Sequence, residues 1–157
     1  LPYFMGERSP IWDPDARGTI FGLSLSHTKS HIYHALLESA AYSLRHNIET
    51  GIEAGMNLDP ECWIVGGVAK SSYWVQIFAN ITGYNMKRLS KDVEAPFGDA
   101  FLAGLGTNIF KSPDEIKKWI SFRPLIKVNE KRHKEYKKYY DIFLELYKNT
   151  KDLMKKI

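Results

Sequence analysis

The chain has one cysteine, Cys62, so no internal disulfide can form, and a reducing cytoplasm is the compartment expected for it. Cys62 opens an apolar run and reads as a small core residue rather than a reactive thiol. No apolar stretch nears the roughly 18 residues of a membrane span. The longest, Trp63 to Ala69, is broken by Gly66 and Gly67. A signal-peptide pattern is missing, and so is an initiating Met, so residues upstream of Leu1 are expected to be lost. Internal repeats and low-complexity tracts are absent. The net charge of +4 forms no basic block: much of it lies after Lys127, interleaved with Glu130, Glu135, Asp141, Glu145 and Asp152. Mixed signs make a solvated helix face, and no groove-reading motif accompanies them, so neither nucleic acid nor membrane is expected as a partner.

What remains is a chain of 157 residues, 44% hydrophobic and 25% charged, the balance and size of one globular domain. Residues 1–18 carry Pro2, Gly6, Pro10, Pro14 and Gly18 and read as irregular. Thr19 to Leu25 reads as a strand or an extended lead-in. Thr28 or Ser30 then caps a helix with Tyr33, Leu37, Ala40, Leu44 and Ile48 at helical spacing, fraying at Gly51 and Gly55. Glu61 to Gly67 reads as a buried strand. A helix follows, with Trp74, Ile77, Phe78 and Ile81 on one side and Gly83 as its stop. Asn85 to Ser90 is a second strand. Pro96 opens a helix through Phe110 whose Gly98, Ala100, Ala103, Gly104 and Gly106 predict close packing on a sheet. Asp114 to Ile120 is a short helix. Glu130 to Lys156 is a long amphipathic one with the stripe Tyr136, Tyr140, Phe143, Tyr147 and Met154, expected to pack on the body. The pattern is α/β, with about three strands where a covering sheet needs more. The sheet is therefore incomplete, its other strands expected upstream.

The segment Trp63-Ile64-Val65-Gly66-Gly67-Val68-Ala69-Lys70-Ser71 carries the chemistry. It is a strand, two glycines and a helix start. Ligands of open α/β sheets bind beyond the carboxyl ends of strands, where glycine exposes backbone and a helix offers unpaired N–H groups. Alone, two glycines are also what an ordinary tight turn uses. The phosphate-loop pattern anchored on Lys70-Ser71 fails, because Ile64 and Ala69 stand where it needs glycines, and the three-glycine dinucleotide fingerprint is absent.

Gly66-Gly67-Val68-Ala69-Lys70-Ser71, followed by Trp74, Gln76, Ile77, Ala79 and Gly83, resembles the adenosine-side motif of the FGGY carbohydrate kinases. Gly6-Glu7-Arg8-Ser9-Pro10, Trp12-Asp13-Pro14 and Arg17-Gly18 resemble a loop of that family. Gly18, Ile20, Gly22, Leu23, then His31-Ile32 and Ala35-Leu36-Leu37-Glu38 follow its second signature, with Leu36 where smaller or β-branched residues are usual. Ala95-Pro96-Phe97-Gly98-Asp99-Ala100-Phe101-Leu102-Ala103-Gly104 matches its glycine-and-alanine helix, with Asp99 replacing the commoner alanine and given no role. Tyr136 and Tyr147 resemble the xylulokinase-like C-terminus.

The resemblance implies an actin-like ATPase (ribonuclease H-like) fold, residues 1–157 being the C-terminal, nucleotide-side domain of a two-domain sugar kinase, truncated at its N-terminal end. It implies ATP as cofactor, with Gly66 and Gly67 against adenosine, Ser71 near the base, and Ala69 and Lys70 beside them. Mg²⁺, the catalytic aspartate and the sugar are implied to belong mainly to the missing part, so no catalytic or metal residue is expected here. Glu7 and Arg8 either bridge the domains or form a local ion pair. A homodimer stays open, as does the acceptor, a pentose, polyol or glycerol. The rival class is a non-catalytic actin-like module for assembly or regulation. His27, His31 and His34 lie near one helix face but lack carboxylate or cysteine partners at ligand spacing. Asp13 and Asp15 read as turn residues rather than paired acids.

Overall fold

The computed structural model describes residues 1–90 and 95–157. Two three-residue strands, β1 (Glu61–Trp63) and β2 (Asn85–Lys87), pair in parallel with Cys62 opposite Met86 and Trp63 opposite Lys87. Between them runs α2 (Ser72–Thr82), so strand, helix and strand form one βαβ unit. β2 continues into a bridge with residues 122–126: Met86 and Ile126 exchange N–H···O bonds of 2.9 and 3.1 Å, and Leu89 bridges Phe122.

Helix α2 is the centre of the domain, because both of its flanks are covered. Val75, Ala79 and Ile81 are wholly buried, and Ile77 and Phe78 nearly so. Helix α1 (Lys29–Glu53) packs on one flank and α4 (Glu130–Met154) on the other. Burying each such Ile or Phe side chain contributes about 1.5–3 kcal/mol. Gly83 ends α2 as expected: at φ +82° it adopts the left-handed conformation, and its N–H donates to the Ala79 carbonyl.

The tail stripe meets the body as predicted. Tyr140, Phe143 and Met154 are buried, and Tyr136 and Tyr147 pack against the same core. Tyr140 stacks near Tyr42 of α1, and the Arg45 guanidinium lies 4.3 Å from the Tyr140 ring centroid. That buried cation is also satisfied by Glu49 (2.7 Å) and the Ile81 carbonyl (3.2 Å).

Four expectations need correction, and one left open between two alternatives is decided. On α1, Leu37 of the expected stripe is buried and Ala40 and Ile48 are half-buried, but the rest of the buried face is Ala41, Tyr42 and Arg45, while Tyr33 and Leu44 are exposed, because α4 draws Tyr42 and Arg45 inward. Thr19 to Leu25 is the extended lead-in rather than a strand: Thr19 pairs with Leu1, while Ile20, Phe21, Leu23 and Leu25 are exposed. The strand expected over Glu61 to Gly67 stops at Trp63, since among the described residues β2 alone pairs with it. Among the described residues helix α3 (Ala95–Gly106) does not pack closely on the sheet: Gly104 instead receives the Phe110 ring, and a side chain at Gly98 or Gly106 would meet open space. The short helix before Ile120 is a 3₁₀ turn, Pro113–Lys118.

Candidate functional site

β1 points its carboxyl end at the glycine pair. Ile64 is buried and its N–H still donates to the Lys87 carbonyl at 3.0 Å, but Val65 is exposed. Gly66 then takes φ +77° and ψ −156°, a conformation essentially confined to glycine. Its carbonyl accepts from the Ala69 N–H at 3.1 Å, and the Val68 carbonyl from the Ser71 N–H at 3.2 Å, so Gly67–Lys70 winds as one 3₁₀ turn. A Cβ added at Gly66 or Gly67 would meet no atom within 4 Å. Both glycines thus offer bare, accessible backbone on which a flat group can lie.

Ser71 closes the turn and starts the helix. Its Oγ accepts from the Trp74 N–H at 3.2 Å, capping α2, and its hydroxyl proton remains available to donate. The structure therefore brings Gly66, Gly67, Ala69, Lys70 and Ser71 into one turn, beside the positive end of α2. Ala69 and Ser71 are half-buried and Lys70 is exposed.

A match to the FGGY family of carbohydrate kinases, C-terminal domain, covers residues 1–107 of this chain, both glycines included. The chain belongs to that family. The FGGY domain is 34% identical over 153 residues to a xylulose kinase of Staphylococcus epidermidis, an alignment covering 97% of this chain and 31% of that protein. The structure superposes on a ligand-bound xylulose kinase from Lactobacillus acidophilus with a TM-score of 0.80 and 25% identity, over 96% of this chain and 30% of that one. It also resembles a Plasmodium falciparum glycerol kinase with ADP, at a TM-score of 0.73 and 26% identity, over 92% and 29% of the two chains. The chain thus spans about a third of the length of its relatives, and the fold is that of the actin-like sugar kinases.

One residue of this FGGY domain escaped the sequence reading. Arg88, just after β2, is only 5% exposed, and its Nη1 donates to the Ala69 carbonyl (3.2 Å) and the Ser72 hydroxyl (3.1 Å). Burial, and then the nearby Arg123, hold its guanidinium below the usual arginine range. The only sequence signal was a charge inside a stretch expected to be a strand; its partners lie 16 and 19 residues away.

The remaining candidates lie elsewhere. Glu7 organises its loop by accepting from the Ser9 N–H at 2.9 Å, and among the described residues no ion pair joins it to Arg8, which is exposed. Asp99 is exposed on α3. Asp13 accepts from the Asp15 N–H, the turn role expected of it. His27 and His31 each use Nδ1 to accept a backbone N–H, from Ser24 and Thr28. His34 bridges the Tyr73 hydroxyl (2.9 Å) and Glu38 (2.8 Å). Among the described residues no group of three or more His, Cys, Asp or Glu is placed to hold a metal, and no helix is long and apolar enough to cross a membrane.

Proposed function

We propose that the full-length protein phosphorylates a sugar hydroxyl at the expense of ATP, with xylulose or a related pentose or polyol as acceptor. Residues 1–157 then form its C-terminal domain and supply the adenosine side of the cleft. The observation that carries this reading is the Gly66–Gly67 turn, bare on its outer side and placed beyond the carboxyl end of a parallel strand, where open α/β sheets take their ligands.

ATP, when bound, supplies the phosphoryl group. The residues of this chain bind and orient it: the Gly66 and Gly67 backbone against adenosine, the Ser71 hydroxyl donating toward the base, Ala69 and Lys70 alongside. Phosphoryl transfer depends on positioning and charge stabilisation, so a domain that only orients the nucleotide still contributes to rate. The catalytic aspartate, the sugar contacts and most of the Mg²⁺ coordination are assigned to the rest of the protein. The xylulose kinase match along 97% of the chain favours a pentose over glycerol. A cytoplasmic setting follows from the same reading, and a homodimer is a subordinate proposal that sedimentation checks.

The test is a coupled ADP-release assay on the full-length protein with xylulose, gluconate and glycerol. Turnover on xylulose, with none by residues 1–157 alone, supports the proposal. Turnover on glycerol alone moves the acceptor, and no turnover on any acceptor overturns the enzyme reading in favour of an assembly or regulatory module.

A further inference from the structure

We infer that Arg88 is a positioning residue for the nucleotide, holding the Gly67–Lys70 turn and the first residue of α2 in one fixed relation before ligand arrives. The inference rests on the adenosine reading above. Two backbone bonds of 3.1 and 3.2 Å close the turn, and among the described residues a Cβ added at Gly66 or Gly67 would meet no atom within 4 Å. Arg88 ties the turn to the start of α2. One guanidinium nitrogen donates on both sides of Ser71, to the Ala69 carbonyl before it and the Ser72 hydroxyl after it.

The anchor is rigid at its other end. The Arg88 carbonyl accepts from the Arg123 N–H at 3.0 Å, and the flanking Leu89 and Ser90 are paired to Phe122 and Ser121. Stability alone does not account for this side chain. Among the described residues its buried Nε has no hydrogen-bond partner, a second guanidinium stands close by, and a buried cation costs desolvation that an apolar side chain of similar volume avoids. What an apolar side chain lacks is the ability to bind two acceptors at a set spacing.

ADP titration calorimetry on the full-length protein tests this, with Arg88→Met, Arg88→Lys and Ser72→Ala. Arg88→Met is expected to raise the Kd for ADP about tenfold, the loss of charge-assisted hydrogen bonds, at unchanged stoichiometry. Arg88→Lys, which keeps the charge and its donors but not the planar fork that holds them at a set spacing, and Ser72→Ala, which removes one acceptor from an exposed position, should each raise it about threefold. A residue that only stabilises the fold would lower the fraction of competent molecules and leave their Kd alone. Where Arg88→Met does not fold, the two milder variants carry the test, and wild-type Kd in both overturns the inference. Failure of the wild-type protein to bind ADP at all overturns the adenosine reading, and this inference with it.

Discussion

The Tyr147 hydroxyl donates to Asp13 Oδ2 at 2.6 Å, joining the last helix to a loop 134 residues earlier. The Tyr147 ring also packs edge-on against Tyr3, 5.9 Å between centroids. Burial first, and then the hydrogen bond to Asp13, push the tyrosine up to about 12. The same bond is the main cause holding the Asp13 carboxyl below its ordinary range, helped by the Asp15 N–H. Asp13 and Glu7 exchange backbone hydrogen bonds of 2.7 and 2.8 Å, so the contact fixes the whole loop to α4.

Tyr147→Phe keeps the ring and removes the hydrogen bond, so it should destabilise the chain by about 1 kcal/mol at pH 7. Asp13 ionises more readily folded than unfolded. The contribution is therefore present above its unfolded value of about 4 and is lost as pH falls through the folded value. Urea midpoints of wild type and variant should differ at pH 7 and converge as the pH falls below the lowered folded value. A gap that persists in acid would show that packing, not the hydrogen bond, carries the effect.

A second prediction concerns α3. A Cβ at Gly104 would overlap the Phe110 ring, which is stacked on Phe101 at 4.8 Å and meets Trp119 edge-on at 5.7 Å. A ring held between two aromatics has little room to yield. Gly104→Ala should cost about 1–3 kcal/mol by overpacking, despite the better helix propensity of alanine. Phe110→Leu in the same chain should restore part of the loss. A stabilised Gly104→Ala, by thermal midpoint, would mean that the ring is free to move aside.

How much of this was legible in the sequence depends on range. Helix α2 was read with its apolar side and its stop because the side repeats every three or four residues and Gly83 acts on Ala79, four positions away. The glycine turn was legible for the same reason. The buried face of α1 was misjudged because apolar residues line more than one side of that helix, and the choice among them is made by Tyr140 and Phe143, a hundred residues on. Helix α3 was assigned to a sheet from its small residues, which signal close approach without naming the partner; Phe110 is one partner. Arg88 was invisible because its role lies in two acceptors brought near it by the fold.

His46 makes stability depend on pH near neutrality. It is half-buried, among the described residues its Nδ1 lacks a partner, and burial pulls its pKa below the ordinary histidine value, with Glu49, Glu7 and Glu53 opposing. The unfolded chain therefore takes up the proton first. Stability is full above about pH 6.5 and declines as pH falls toward the folded value. The urea midpoint should drop between pH 7 and pH 5, and His46→Gln should flatten that drop. An equal drop in the variant would place the titrating group elsewhere.

The two glycines of the turn separate fold from function. Gly66 needs its φ of +77°, so Gly66→Ala strains the backbone by about 1–3 kcal/mol and confounds any loss of binding. At Gly67 no positive φ is required and a Cβ would meet nothing within 4 Å. Gly67→Val should therefore fold with a stability within about 0.5 kcal/mol of wild type. Its branched side chain would nevertheless stand on the bare backbone where adenosine is proposed to lie, and a clash there cannot be relieved by a neighbouring side chain giving way. Calorimetry on the full-length protein should show ADP affinity reduced at least tenfold, a loss of about 1.4 kcal/mol or more. Unchanged affinity in a variant of unchanged stability would remove adenosine from this turn, whatever the family resemblance implies.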